Sequence, residues 1–186
     1  MRTVGVGIDL EIGHLRGYGM AGGFASSTRR LAISSMDMAQ TDDTLTDLSI
    51  GAAAERLRSR RISPVELTEA YLERIERLNP AINAYVTVTG DRARADARRA
   101  ADEITKSGPR GPLHGVPIAL KDLCDTAGIR TTAGGKFFAD HVPKADCTVA
   151  RRLREAGSVL LGKLNTHEFA YGVTTDNPHF GATRNP

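Results

Sequence analysis

Two short apolar runs with a helical pattern between them constrain this chain more than any other feature. Gly115-Val116-Pro117-Ile118-Ala119-Leu120 is introduced by Gly and Pro and carries no polar side chain, as expected of a strand buried on both faces. Val159-Leu160-Leu161 is a second run of the same kind. Between them Val149, Ala150 and Leu153 recur at helical spacing, with Asp146 or Thr148 available as the cap and Gly157 as the stop. Two strands separated by one helix pair in parallel through a right-handed crossover, so the pattern predicts an α/β chain built around a βαβ unit.

Upstream of that unit the pattern is mostly helical. Ile50, Ala53, Ala54 and Leu57 predict a short amphipathic helix. Ser63-Pro64-Val65-Glu66 combines an N-cap residue, Pro at the first helical position and a Glu three residues after the Ser, which together make a capping box. Leu67, Ala70, Tyr71, Arg74 and Leu78 then form one face, and Asn79-Pro80 is expected to end the helix. Residues 84–88 read as a short strand. Asp91 is expected to cap a long Ala- and Arg-rich helix with Ala93, Ala97, Ala100, Ala101 and Ile104 inward, closed by Gly108. Residues 1–43 hold many Gly, the pairs Ser26-Ser27 and Ser34-Ser35 and no sustained period, and they read as a poorly ordered extension. Met36 and Met38 are alternative starts. Arg16, Arg29 and Arg30 among Ser and Thr leave a transit peptide open, against which Asp9 and Glu11 count.

Composition narrows the function classes. With 186 residues, 40% apolar and 25% charged, the chain is a soluble globular type with enough length for a buried core. No apolar run is long enough to cross a bilayer, so an integral membrane protein is not expected. The net charge of +3 could suggest nucleic-acid binding. However, Asp91-Arg92-Ala93-Arg94-Ala95-Asp96-Ala97-Arg98-Arg99 mixes signs as a solvated helix face does, so no direct nucleic-acid partner is expected. Cys124 and Cys147, without a secretory signal, read as reduced thiols in a cytoplasmic protein. Gly17-Tyr18-Gly19-Met20-Ala21-Gly22 fits a dinucleotide pattern but follows no strand and opens no helix. His167-Glu168 begins a zinc pattern in which Tyr171 replaces the second His. The spacings of His14, His114, His141 and His179 hold no metal, so none is expected. Ser158 lacks the second Gly of a nucleophile elbow.

Lys121 is the informative residue. Only five of the 25 basic residues are lysines: Lys106, Lys121, Lys136, Lys144 and Lys163. Lys121 directly follows the first apolar run, at the carboxyl edge where open α/β sheets bind ligands. Burial there would disfavour the ammonium and leave a neutral amine able to accept a proton. Two plainer readings stand beside this one. The lysine could carry its head out to water along an apolar stem, or it could be tied to Asp122 by an ion pair, and neither arrangement does chemistry.

Several ordered blocks resemble the amidase signature family. Gly111-Pro112-Leu113-His114-Gly115-Val116-Pro117-Ile118-Ala119-Leu120-Lys121-Asp122 is similar to that family's lysine segment, and Gly128-Ile129-Arg130-Thr131-Thr132 to the loop after it. The stretch from Asp146-Cys147-Thr148-Val149-Ala150 to Gly162-Lys163-Leu164-Asn165 resembles its helix-strand module. His167-Glu168-Phe169-Ala170-Tyr171-Gly172 and Phe180-Gly181-Ala182-Thr183-Arg184-Asn185-Pro186 resemble the approach to its Gly/Ser-rich signature. The likeness runs from about Leu45 to the last residue.

The resemblance implies the amino-terminal portion of one amidase domain over residues 44–186, a mixed β-sheet flanked by helices, incomplete. It implies a Ser-Ser-Lys mechanism with Lys121 as the catalytic lysine, a small-molecule amide as substrate and no cofactor. Neutral lysine takes a proton from a bridging serine, which deprotonates a nucleophilic serine, and an acyl-enzyme forms that water hydrolyses. By the same resemblance Phe169 and Gly172 line the acyl pocket, with core packing the alternative for Phe169. No Gly-Gly-Ser-Ser-Gly-Gly-Ser run occurs in the chain, which is therefore expected to stop short of the serines and to turn over no amide alone. Sheet edges and apolar faces are then expected to lie uncovered. The ammonia-releasing component of an aminoacyl-tRNA amidotransferase, working with an amidotransferase partner subunit, fits the same blocks. A non-catalytic remnant is the third reading.

Overall fold

The structure is a computed structural model, and it describes residues 45–185. The readings of residues 1–43, the Gly17–Gly22 match among them, lie outside the described residues.

Local side-chain bonds start the helical layer. Helix α1 (Ile50–Arg58) opens at Ser49, whose Oγ accepts from the Ala52 N–H at 3.1 Å. Helix α2 (Pro64–Ile82) opens with the expected capping box. Ser63 Oγ accepts from Glu66 N at 3.1 Å, and the Glu66 carboxylate accepts from Ser63 N at 2.8 Å.

Two features of α2 differ from expectation. Its buried residues are Pro64, Leu67, Thr68, Leu72 and Ile75, whereas Ala70, Tyr71, Arg74 and Leu78 are half-buried. The face is rotated because α2 serves two partners: Leu67 meets α1, and Leu72 and Ile75 meet the sheet and the next long helix. Pro80 does not end the helix but sits in its last turn. A proline removes a single N–H, and the helix closes where Asn83 turns left-handed (φ 54°) and donates to Asn79 O at 2.7 Å.

Strand β1 (Tyr85–Val88) is anchored by Asn79, whose amide accepts from Tyr85 N at 2.8 Å and donates to Tyr85 O at 3.1 Å. Helix α3 (Gly90–Ser107) starts one residue before Asp91, which lies in the first turn instead of capping it. Thr89 holds the N-cap position, and its hydroxyl donates to Leu160 O at 2.9 Å, tying the helix start to the sheet. Ala93, Ala97, Ala100 and Ile104 are buried as expected, Ala101 is half-buried, and Gly108 closes the helix.

Strands β2 (Pro117–Lys121) and β3 (Val159–Leu164) pair in parallel, and β1 pairs antiparallel with β3, so the order is β1-β3-β2. The sheet is mixed and flanked by helices. Helix α4 (Thr148–Glu155) connects β2 to β3, but neither expected residue caps it. Cys147 holds the N-cap position without a side-chain bond. Asp146 instead accepts from Ala127 N at 2.7 Å and pairs with Arg154 at 2.9 Å. Ala150 is buried and Leu153 half-buried, but Val149 is exposed. The expectation of β2 buried on both faces also fails. Pro117, Ile118 and Ala119 are half-buried and Lys121 is exposed, because among the described residues β2 has a neighbour on one side only. Central β3 is the strand buried along nearly its whole length.

Alternation along β3 divides the core. Val159 and Leu161 pack with Leu72 and Ile75 of α2 and with Ala93 and Ala97 of α3. Leu160 packs with Leu120, Ile129 and Ala150. The two-residue period then breaks. Ile118 pairs with Leu160 but Ala119 pairs with Gly162, so β3 carries one extra residue at that point. A Cβ on Gly162 would lie 2.2 Å from Thr87 O of β1, so the bulge admits no side chain.

Candidate active site

The chain leaves β2 through Lys121, at the carboxyl edge of the parallel pair where the sequence put it. Its backbone is fixed from both sides: Cys124 N donates to Lys121 O at 2.9 Å, and Asp122 N donates to Leu164 O at 2.9 Å. Its side chain is exposed and forms no ion pair among the described residues. The desolvation expected at Lys121 is therefore found at another lysine.

That lysine is Lys163. The bulge at Gly162 turns it onto the face of Leu160, where it is 0% exposed. Its amine donates to Cys124 O and to Thr131 Oγ1, both at 2.6 Å, and lies 3.5 Å from Asp122 Oδ1. Burial pushes this amine down from the usual lysine range, and the Asp122 carboxylate opposes the shift. Asp122 is itself 1% exposed. Its Oδ2 accepts from Thr132 N at 3.0 Å and, more closely, from the Thr132 hydroxyl. Its backbone O accepts from Ala133 N at 2.8 Å. One buried cation and one buried anion thus bind the turn after Lys121 to the returning limb 131–133. The ion pair that could have tied Asp122 to Lys121 is made with Lys163.

Phe169 joins the same limb, its N–H donating to Ala133 O at 2.8 Å. It takes left-handed backbone angles (φ 49°, ψ 21°), and Ala170 follows at φ 54°. Two consecutive residues other than Gly in that region carry backbone strain. The Phe169 ring is half-exposed, stands edge-on to Phe138 with centroids 6.2 Å apart, and covers Gly135, where a Cβ would lie 2.8 Å from Phe169 Cζ. It forms an exposed wall above the loop and is not part of the core. Gly172 is different. A Cβ there would lie 2.6 Å from His167 Cγ, so the glycine is needed for the His167 ring to fit. The structure therefore links the Lys121 turn to Phe169 through Ala133, and reaches Gly172 only through His167.

Asn177 holds the segment beyond Phe169 to this loop. Buried, it donates to Gly134 O and Thr166 O at 2.8 Å each and accepts from the N–H groups of His179 and Phe180. Sequence reasoning missed Asn177 and Lys163. The signal for Lys163 was its scarcity as a lysine, placed directly after an apolar run. Cys124 and Cys147 carry free, half-buried thiols, and burial pushes the Cys124 thiol up. Among the described residues no group of His, Cys, Asp and Glu is placed to hold a metal, and no helix is long and apolar enough to cross a membrane.

The sequence model of the Amidase family matches residues 66–186. The chain belongs to the Amidase family. Its curated relatives include the A-type component of the glutamyl-tRNA(Gln) amidotransferase of Geobacter metallireducens, 47% identical over 142 residues, which make up 76% of this chain and 29% of that protein. Among solved structures, the native peptide amidase of Stenotrophomonas maltophilia superposes with a TM-score of 0.67 at 32% identity, covering 79% of this chain and 30% of its own. A bacterial aryl acylamidase of the amidase signature family superposes at 0.69 with 33% identity, covering 74% and 29%. The chain thus spans about 29% of the length of the curated relative. Lys121, Asp122, Lys163, Phe169 and Gly172 all lie inside the segment that the Amidase family model matches.

Proposed function

We propose that this chain supplies the lysine of an amide-hydrolysing Ser-Ser-Lys site, with Lys121 as the proton acceptor. The observation that carries the reading is the division of labour between two lysines. Lys121 stands at the carboxyl edge of β2 with no ion pair among the described residues, while its neighbour Asp122 is engaged by Lys163. In the proposed reaction the Lys121 amine takes the proton of a bridging serine, and that serine deprotonates the nucleophilic one. The nucleophilic oxygen bonds to the amide carbon, the C–N bond breaks as the leaving amine gains a proton, and water releases the acyl group. Phe169, with the Gly172 loop, forms the wall beside the acyl group. Residues 1–186 contain no Gly-Gly-Ser-Ser-Gly-Gly-Ser run, so the chain alone is proposed to be inactive on amides.

The test is a chimera in which residues 45–185 replace the matching segment of the Stenotrophomonas peptide amidase. Amide hydrolysis is expected, and Lys121→Ala should lower it by about 10²- to 10⁴-fold, the scale of a lost general base. Hydrolysis undiminished by Lys121→Ala removes Lys121 from the mechanism.

A second reading is favoured by the higher identity to the Geobacter amidotransferase component than to the peptide amidase, 47% against 32%. In it the amide is that of glutamine, and the ammonia passes to a tRNA-binding partner subunit in the cytoplasm. A neighbouring gene for such a partner, and a chimera that prefers glutamine over simple aliphatic amides, would select it.

A further inference from the structure

Lys121 faces a chemical difficulty that its own position does not solve. A proton acceptor must lose its own charge, yet the next residue in the chain is a carboxylate. An Asp122 side chain free to turn toward the Lys121 amine would hold it as the ammonium.

The structure commits that carboxylate elsewhere. Asp122 Oδ2 is taken by the N–H and hydroxyl of Thr132. Asp122 Oδ1 is buried without a hydrogen-bond partner, and the Lys163 amine 3.5 Å away supplies its counter-charge. Lys163 is wholly buried, so it cannot touch a substrate. It also fixes Cys124 O, and Cys124 N in turn holds Lys121 O. A buried ion pair is a poor source of stability, since apolar residues of similar volume commonly do as well or better. What the pair gains is the location of a charge. The Gly162 bulge makes this possible, because simple alternation would put Lys163 on the side of Val159 and Leu161, facing α2 and α3.

We infer that Lys163 is a positioning residue for Lys121: it neutralises Asp122 and retains that carboxylate inside the loop, leaving the Lys121 amine free to deprotonate. The inference rests on the reading of Lys121 as the proton acceptor.

Amine reactivity tests it without requiring turnover. The full chain is labelled briefly with acetic anhydride at mildly alkaline pH, where only uncharged amines attack, and each lysine is followed by peptide mass spectrometry with Lys106 and Lys144 as internal standards. Lys121 is expected to label and Lys163 to resist. In Lys163→Gln, which keeps a hydrogen-bond donor but loses the charge, Lys121 labelling should slow about tenfold, the scale of an opposite charge coming within reach of an amine. Lys163→Arg should keep the original rate. Lys163→Gln combined with Asp122→Asn should recover it, which a merely structural role for Lys163 would not produce. An unchanged Lys121 rate in folded Lys163→Gln, or slowing that persists in the double variant, overturns the inference. Should Lys163→Gln fail to fold by circular dichroism, Lys163→Met, which keeps the side-chain volume and loses the charge, carries the test. The same slowing of Lys121 labelling is expected there, and an unchanged rate is the overturning result. A chimera whose hydrolysis ignores Lys121→Ala overturns the proposed function and leaves these labelling ratios standing, whereas flat ratios overturn the inference alone.

Discussion

The two faces of β3 are held by different physics. Toward α2 and α3, Val159 and Leu161 meet Leu72, Ile75, Ala93 and Ala97, an interior of apolar side chains. On the other face Leu160 packs with Leu120, Ile129 and Ala150, and past the bulge Lys163 meets a loop whose interior includes Asp122, Thr131 and Thr132, all buried. On the first face stability is spread over many small contacts, and each side chain can be exchanged for another of similar volume. On the second it is concentrated in a few polar atoms, and removing one leaves its partner buried and unpaired. The helical side therefore tolerates substitution, while the loop beside Lys121 depends on single groups.

The largest effect should come from the polar face. Lys163→Ala leaves the Asp122 carboxylate without its counter-charge and should cost about 3–5 kcal/mol of stability in urea unfolding. Leu161→Ala, on the apolar face, should cost about 2–5 kcal/mol, and there Leu161→Met should recover most of the loss. A Lys163→Met variant as stable as the original would break the contrast, because the polar face would then tolerate exchange as the apolar one does.

Ser63→Ala gives a smaller effect that sharpens the comparison. It removes half of a local capping box at the start of α2 and should lower stability by about 1 kcal/mol, read from the same unfolding curves. A cost near that of Lys163→Ala would mean that the helical layer also hangs on single polar groups.

The smallest effect concerns a buried imidazole that faces Glu103 of α3. His114 Nδ1 accepts from Arg110 N at 3.0 Å, and Nε2 faces Glu103 Oε2 at 3.0 Å. Burial, and then the Arg110 guanidinium, hold the ring below its ordinary 6.5, while Glu103 opposes them. The unfolded chain then takes up this proton first as pH falls. The contribution is complete above about 6.5 and is lost as pH drops from there through the depressed folded value. The melting temperature should decline across that range, and His114→Gln should flatten the decline. An unaltered slope would assign it to other groups.

Much of the helical layer was legible because its signals are local. The Ser63–Glu66 box spans one turn, and the Ala93, Ala97, Ala100 and Ile104 stripe needs only the helical period. The misreadings came where a second partner intervened. The buried face of α2 is rotated by its contact with both α1 and the sheet, and Asp146 is drawn from capping α4 to Ala127 and Arg154. At the candidate site, Lys121 was placed correctly at the end of a strand, but the burial expected there is absent, and its side chain is exposed as in one of the two plainer readings. The strained backbone of Phe169 had no sequence signal, since its bond to Ala133 and its ring contacts with Gly135 and Phe138 all join residues far apart in the chain.

By itself the sequence determined the order of the elements, the parallel pairing of β2 with β3 and the place of Lys121 at a strand's carboxyl end, because periodicity and capping act between near neighbours. Only the tertiary structure decided which lysine is buried and which carboxylate it neutralises. That choice depends on one extra residue in β3, admitted where Gly162 passes against Thr87 O of another strand. No pattern within either segment records how closely the two approach.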